Sequence, residues 1–162
     1  MNVGISPKDL LTLIIRPTLK KMGMHSESAC ILLLCTAAQE SGLGHYLKQI
    51  KGPALGPYQT EPATHRDIYI NFLSYRPVLF QKIGEFSRFR DFRKRDLELV
   101  TNLEYSTAIA RLVYYRVSAP LPKKDDIRLM AYYWKKYYNT YQGHGTMTQF
   151  IRSYEGLIKG KI

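Results

Sequence analysis

Two cysteines in 162 residues are too few for a disulfide scaffold. Cys30 and Cys35 lie five positions apart in a segment of helical periodicity, about 140° apart around the axis. Their side chains diverge, so a bridge between them would break the helix. They read as small core residues of a chain made in a reducing compartment. Long apolar runs are also missing. The most apolar stretch, residues 29–38, is far shorter than the ~20 residues of a membrane span. The four histidines, His25, His45, His65 and His144, are scattered without a His-x-x-x-His pair, so no metal site is expected. Residues 52–56 lack the lysine and serine or threonine that follow a phosphate-binding glycine loop. Ser41 has no histidine at a recognisable catalytic spacing, which argues against a serine hydrolase. No cofactor is implied.

Acidic residues are scarce, 13 against 24 lysines and arginines, a formal charge of +11. Such an excess predicts a polyanionic partner: a cell wall, a nucleic acid or an anionic membrane surface. The length suits one domain, residues 1–162, with a real core.

The chain has helical periodicity almost throughout. Ser6-Pro7-Lys8-Asp9 is a helix start, with Ser6 as cap and Pro7 at the first position. Apolar residues recur at helical spacing to Leu19, Pro17 predicts a kink, and Gly23 ends the run. A second helix starts near Ser26 and stops at Gly42. It is apolar nearly all round, which predicts a buried central helix. Residues 42–60 read as a loop rich in glycine and proline. Helices follow from Pro62 to about Leu73 and from Pro77 to about Glu85. Beyond a basic stretch, residues 88–95, the pattern resumes from Asp96 or Asn102 to about Val117. Another helix starts at Asp125 or Asp126 and runs to about Tyr138; Thr146-Met147-Thr148-Gln149 has capping-box spacing before the last. No segment alternates long enough for a strand. The expected fold class is mostly α.

One carboxylate stands in an unusual place. Glu40 ends the buried apolar helix, where the dipole is negative and water is excluded. Both effects keep a carboxyl protonated nearer neutral pH, as a general acid requires. Glycines in the following loop allow close backbone approach to a flat ring. Gln59 and Asn139 supply donors and acceptors, and Tyr58 and Tyr138 supply stacking faces and hydroxyls. Tyr132, Tyr133, Tyr137 and Tyr141 share a segment with Tyr138, so some must face inward. Trp134 reads as a packing anchor.

Glu40-Ser41, then Gly52-Pro53-Ala54-Leu55-Gly56-Pro57-Tyr58-Gln59, then Glu61-Pro62-Ala63-Thr64, form an ordered series. This resembles the catalytic segment of the lytic transglycosylases and goose-type lysozymes. There a Glu-Ser pair ends the central helix, and a Gly-Ala-x-Gly-Leu-Met-Gln segment and a Pro-x-Thr-Ala helix start follow. Tyr138-Asn139 with Gly143-His144-Gly145 resembles the family's later Ala-Tyr-Asn-x-Gly motif. The series covers residues 40–145. Pro57-Tyr58 replaces the usual Leu-Met, which predicts an altered groove wall, and Tyr137 replaces an alanine. The pattern is similar to compact forms from bacteriophage genomes.

The resemblance implies a lysozyme-like helical domain that cleaves the β-1,4 bond between N-acetylmuramic acid and N-acetylglucosamine in peptidoglycan. It implies Glu40 as the catalytic residue and Ser41, Tyr58, Gln59, Tyr138 and Asn139 as substrate-binding residues. Glu40 would protonate the glycosidic oxygen, then take the proton of the muramyl C6 hydroxyl to leave a 1,6-anhydro end. Hydrolysis would need a second carboxylate or help from the substrate; Glu61 and Asp67 are the candidates. Glu61 is otherwise explained as a charge at a helix start, and Asp67 as a solvent-facing residue, so the transglycosylase outcome is favoured. The alternatives are a hydrolytic lysozyme of the same fold or a non-catalytic wall-binding or virion structural protein. A nucleic-acid module is a further alternative, with Arg88, Arg90, Arg93, Lys94 and Arg95 contacting phosphates and Phe86, Phe89 and Phe92 stacking on bases. Glu85, Asp91 and Asp96 interrupt that run, and an acidic wall would attract the same charge. The first 13 residues carry no signal-peptide pattern. The expectation is cytoplasmic synthesis, with action on the wall after release or as a virion component, by a monomer unless virion-bound.

Overall fold

In the computed structural model Ser6 opens the first helix, its side chain accepting from the Asp9 amide at 3.3 Å. The structure describes residues 4–140 and 142–162; the readings of Tyr141 and of residues 1–3 lie outside it. Helix α1 (Pro7–Asp9) passes through a π-helical segment, Leu10–Ile15, into α2 (Arg16–Met22). Pro17 has no N–H for the fourth carbonyl back, and its ring crowds that carbonyl. The wider π turns of Leu10–Ile15 directly precede the helix that holds this proline. Gly23, left-handed at φ 69°, closes α2.

Helix α3 (Glu27–Ser41) starts on the Ser26 side chain, which accepts from the Ala29 amide at 3.0 Å. Every residue from 29 to 38 is buried. A helix apolar on all sides can hide them only if other helices enclose it. The π-helical segment Leu10–Ile15, Leu19 of α2, α8 (Ile127–Trp134) and α9 (Met147–Leu157) contribute to that sheath and to the first core cluster. Burial pushes the Cys30 thiol up to about 11 and the Cys35 thiol to about 12. Both cysteines are free and buried.

A second core joins α4 (Pro62–Asn71), a 3₁₀ turn at Leu73–Tyr75, α5 (Pro77–Gly84), α6 (Glu98–Thr101) and α7 (Leu103–Tyr115). Asn102 separates α6 from α7 and caps the latter, accepting from the Tyr105 amide at 3.0 Å. Helix α7 serves both cores: Ala110 and Tyr114 pack in the first, Tyr105, Ile109 and Leu112 in the second. Asp126 caps α8, whose last turn opens into a π-helical segment, Lys135–Asn139. The capping box at Thr146 and Gln149 is formed.

The fold is mostly α, as expected. Among the described residues the β-type pairing is two isolated bridges, Lys48 with Leu55 and Leu55 with Thr60, inside the loop of residues 42–60. No helix is long and apolar enough to cross a membrane, among the described residues. The loop is fixed against α6 at Gly56, where φ is 79° and a Cβ would collide with the Leu99 carbonyl. Gly160 has a similar φ, 74°, but open space around it. Gly56→Ala should therefore cost more than about 2 kcal/mol in chemical denaturation, against about 1 kcal/mol for Gly160→Ala. Equal costs would mean that backbone conformation alone, and not the approach to α6, sets the requirement.

Candidate active site

Gly42 and Leu43 both adopt left-handed backbone, with φ 62° and 59°, and turn the chain off the end of α3. Their amides reach back to the Ala38 and Ala37 carbonyls, each at 3.0 Å. Ser41 ties this end to the loop: its hydroxyl donates to the Pro57 carbonyl at 2.6 Å and accepts from the Gly44 amide at 2.7 Å. The Tyr46 hydroxyl donates to the Glu40 carbonyl at 2.8 Å. These contacts hold the last turn of α3 in one place, and Glu40 with it.

The Glu40 side chain reaches a cleft of about 670 Å³ between the end of α3, the loop, the start of α4 and residues 134–145. Trp134 Nε1 donates to Glu40 Oε1 at 2.8 Å. The indole is fully buried against Phe150, so its N–H has a fixed direction. Desolvation pushes the Glu40 carboxyl up to about 7, against the opposing pull of the Trp134 hydrogen bond. The indole nitrogen can only donate. Oε1 therefore keeps its lone pairs toward Trp134, and the acidic proton belongs on Oε2.

The rest of the cleft is polar but almost uncharged. Amides come from Gln39, Gln49, Gln59, Asn139 and Gln142, and hydroxyls from Thr60, Thr64 and Thr140. Among the described residues no lysine or arginine lines it, although the chain carries 24 of them, and Lys135 stands behind the wall on Asn139 and the Gly143 carbonyl. Such a surface suits a ligand of hydroxyl and N-acetyl groups. Glu61 lines the same cleft from the cap position of α4, with an exposed side chain that makes no capping bond.

The expected site residues divide into two groups. Glu40, Gln59, Tyr138 and Asn139 meet in the cleft. Gln59 holds a left-handed backbone, φ 47°, with its Nε2 donating to the Gly56 carbonyl at 2.8 Å. Tyr138 donates its hydroxyl to the Tyr58 carbonyl at 2.7 Å, and Asn139 Oδ1 accepts from Lys135 Nζ at 2.7 Å. Burial raises the Tyr138 hydroxyl, and the Glu40 charge beside it adds to that. Ser41 and Tyr58 are corrections. Ser41 is wholly buried and spends its hydroxyl on backbone groups. Tyr58 is 1% exposed and hydrogen-bonded to Thr107 at 2.9 Å, so it presents no face to a sugar. Its neighbour Pro57 is buried as well, and neither forms the cleft wall. The expected altered wall is an altered interior.

Asp67, read from the sequence as a solvent-facing residue, pairs with Arg116 at 2.6 Å and Asn71 at 2.6 Å and does not line the cleft. The Trp134 bond to Glu40 spans 94 positions and has no local sequence signal. Tyr46 could have been found only by knowing how the loop folds back. Outside the cleft, His25, Glu27 and Cys30 bring ligand atoms within 4.8 Å of one another, a grouping with a single histidine. Arg16 donates to both Glu27 oxygens, at 3.1 and 3.0 Å. No known protein family, curated protein or solved structure matches the chain.

The Glu40 environment fixes a pH dependence of folding. Its carboxyl has an ordinary value of 4.5 and a folded value of about 7. Below the lower value both states are protonated and nothing is lost; stability falls as pH rises through the folded value, and the deficit is complete above it. Glu40→Gln removes the titration and retains an acceptor for Trp134. It should stabilise the chain by up to about 3 kcal/mol at pH 8 and by nearly nothing at pH 4. Trp134→Phe should move the Glu40 carboxyl still higher in an NMR titration, because the lost bond favours the carboxylate. A downward move would show that the indole acts on Glu40 mainly by keeping water out.

Proposed function

We propose that the chain cleaves the β-1,4 bond between N-acetylmuramic acid and N-acetylglucosamine in bacterial peptidoglycan, with Glu40 as general acid and base. The observation that carries this reading is Glu40 itself. A carboxyl pushed up to about 7 is half protonated near neutral pH, and it sits in a cleft lined by amides and hydroxyls. The motif series between residues 40 and 145 supports the same reading, since its matched residues Glu40, Gln59, Tyr138 and Asn139 line that one cleft. Proton transfer from Glu40 Oε2 to the glycosidic oxygen breaks the C1–O bond and leaves positive charge at C1. The carboxylate then removes the proton of the muramyl C6 hydroxyl as O6 bonds to C1. Atoms balance without water, the acid is regenerated, and the product is a 1,6-anhydromuramyl end. The internal hydroxyl arrives with the substrate, so the capture needs no further protein base. Such an enzyme would work as a monomer on the wall, after release from the cell or from within a virion.

Glu61 favours a second reading, hydrolysis on the same site. It is the other carboxylate lining the cleft, and an inverting enzyme needs a base across the sugar from its acid.

Glu40→Gln should fold normally and lose about 10²–10⁴-fold in activity on purified sacculi. In the native enzyme kcat/KM should fall as pH rises through about 7, because the protonated carboxyl is the reactive form. A variant that keeps more than about a tenth of the native rate would remove Glu40 from the role. Mass spectrometry of the digest distinguishes the two reactions. Transglycosylation gives ends that borohydride does not reduce, and Glu61→Gln leaves the rate nearly unchanged. Fully reducible ends, together with a large loss in Glu61→Gln, would establish hydrolysis.

A further inference from the structure

The basic stretch of residues 88–95 takes no part in the cleft. Its backbone is held by two buried charges. Arg95 is 3% exposed, and its guanidinium donates to the Phe89 carbonyl at 2.7 Å, the Arg90 carbonyl at 2.9 Å and the Tyr69 hydroxyl at 2.8 Å. Glu98, wholly buried, accepts from the Arg88 amide at 2.9 Å and from the Ser87 hydroxyl. Asp91 caps the short 3₁₀ turn Phe92–Lys94. Burying a guanidinium and a carboxylate is costly unless their hydrogen bonds are met. Here both are used to shape one loop.

What that loop presents is cationic. Arg88, Arg90, Arg93 and Lys94 are all exposed; the Arg88 and Arg93 side chains are 69% and 76% accessible. Against them stand Asp91, bonded to Arg93 at 3.0 Å, and the buried Glu98, whose Oε1 lies 3.7 Å from Arg88 Nε. The aromatic residues of the stretch are turned to other uses. Phe92 stacks on Tyr69 at 4.6 Å, and Phe86 packs on the second core. Phe89 alone is exposed, at 41%. A single-strand nucleic-acid surface needs free rings for successive bases as well as cations. This loop offers the cations and one ring.

We infer that Arg88, Arg90, Arg93 and Lys94 form a docking surface for a phosphodiester polymer without bases, of the kind carried by cell walls. The cationic loop would hold the protein on the polyanion, while the uncharged cleft acts on neutral glycan. The placement on a wall rests on the glycosidase reading; the binding chemistry does not.

The test uses the full chain and a synthetic poly(glycerol phosphate), with affinity measured at several salt concentrations. Replacing Arg88, Arg90, Arg93 and Lys94 together by glutamine should weaken binding at least about tenfold at physiological salt. It should also make the slope of log K against log salt shallower by about 2–3, from four lost phosphate contacts on a flexible chain. A control with the same charge loss elsewhere, Lys8, Lys51, Lys124 and Arg152 to glutamine, all exposed, should keep most of the affinity. Both variants should keep the native melting temperature and the native rate on short uncharged glycan. Equal losses in the two variants would overturn the inference in favour of diffuse charge, as would no loss in the first. Tighter binding of oligo(dT) than of poly(glycerol phosphate), abolished by the loop variant, would make nucleic acid the occupant. A native protein inert on every glycan but still bound through the loop would sink the glycosidase reading alone.

Discussion

A helix with no polar face cannot lie on a protein surface. Residues 29–38 of α3 are buried on every side, so the π-helical segment Leu10–Ile15, α7, α8 and α9 pack around it. That enclosure carries the C-terminal turn of α3 inward until it meets the loop of residues 42–60. Glu40 sits on that turn. Its carboxyl is desolvated because the helix before it must be, and the same enclosure brings Trp134 of α8 within hydrogen-bonding distance. Core burial and the altered acidity of the site are two consequences of one apolar segment.

Opposing influences on Glu40 set its character. Burial disfavours the carboxylate, whereas the indole N–H stabilises it. Burial is the larger effect, and the balance lies near neutrality, where a carboxyl can both give and take a proton. The indole also separates the two oxygens, engaging Oε1 and leaving Oε2 for the cleft. Charge is partitioned over the molecule in a corresponding way. Among the described residues of a chain with a formal charge of +11, lysine and arginine do not line the cleft, and exposed cations cluster on the loop that Arg95 and Glu98 shape.

Much of the helical layout was readable without coordinates. The Ser6, Ser26 and Thr146 caps, the terminators Gly23 and Gly42, and the prolines opening α4 and α5 each act within a few residues of themselves. Their effects are local and survive any packing arrangement. Side-chain roles were harder. Tyr58 and Tyr138 look alike in the sequence, each beside an amide residue. One lies under the loop bonded to Thr107 and the other lines the cleft. Ser41 follows Glu40 directly yet points into the interior, because successive helical residues lie about 100° apart around the axis.

The sequence by itself determined where helices begin and end, that one of them must be central, and that the carboxylate at its end would be desolvated. Those properties depend on backbone capping and on the free energy of burying apolar surface, both written in short stretches of chain. Only the tertiary structure decided which groups share the cleft with Glu40. It placed Trp134 on one carboxylate oxygen, brought Glu61 into the cleft and left Asp67 outside, bound to Arg116. It also turned Phe92 inward and the cations of its loop outward. Contacts between residues tens of positions apart depend on how whole helices pack, and packing is a property of summed surfaces that no local pattern encodes.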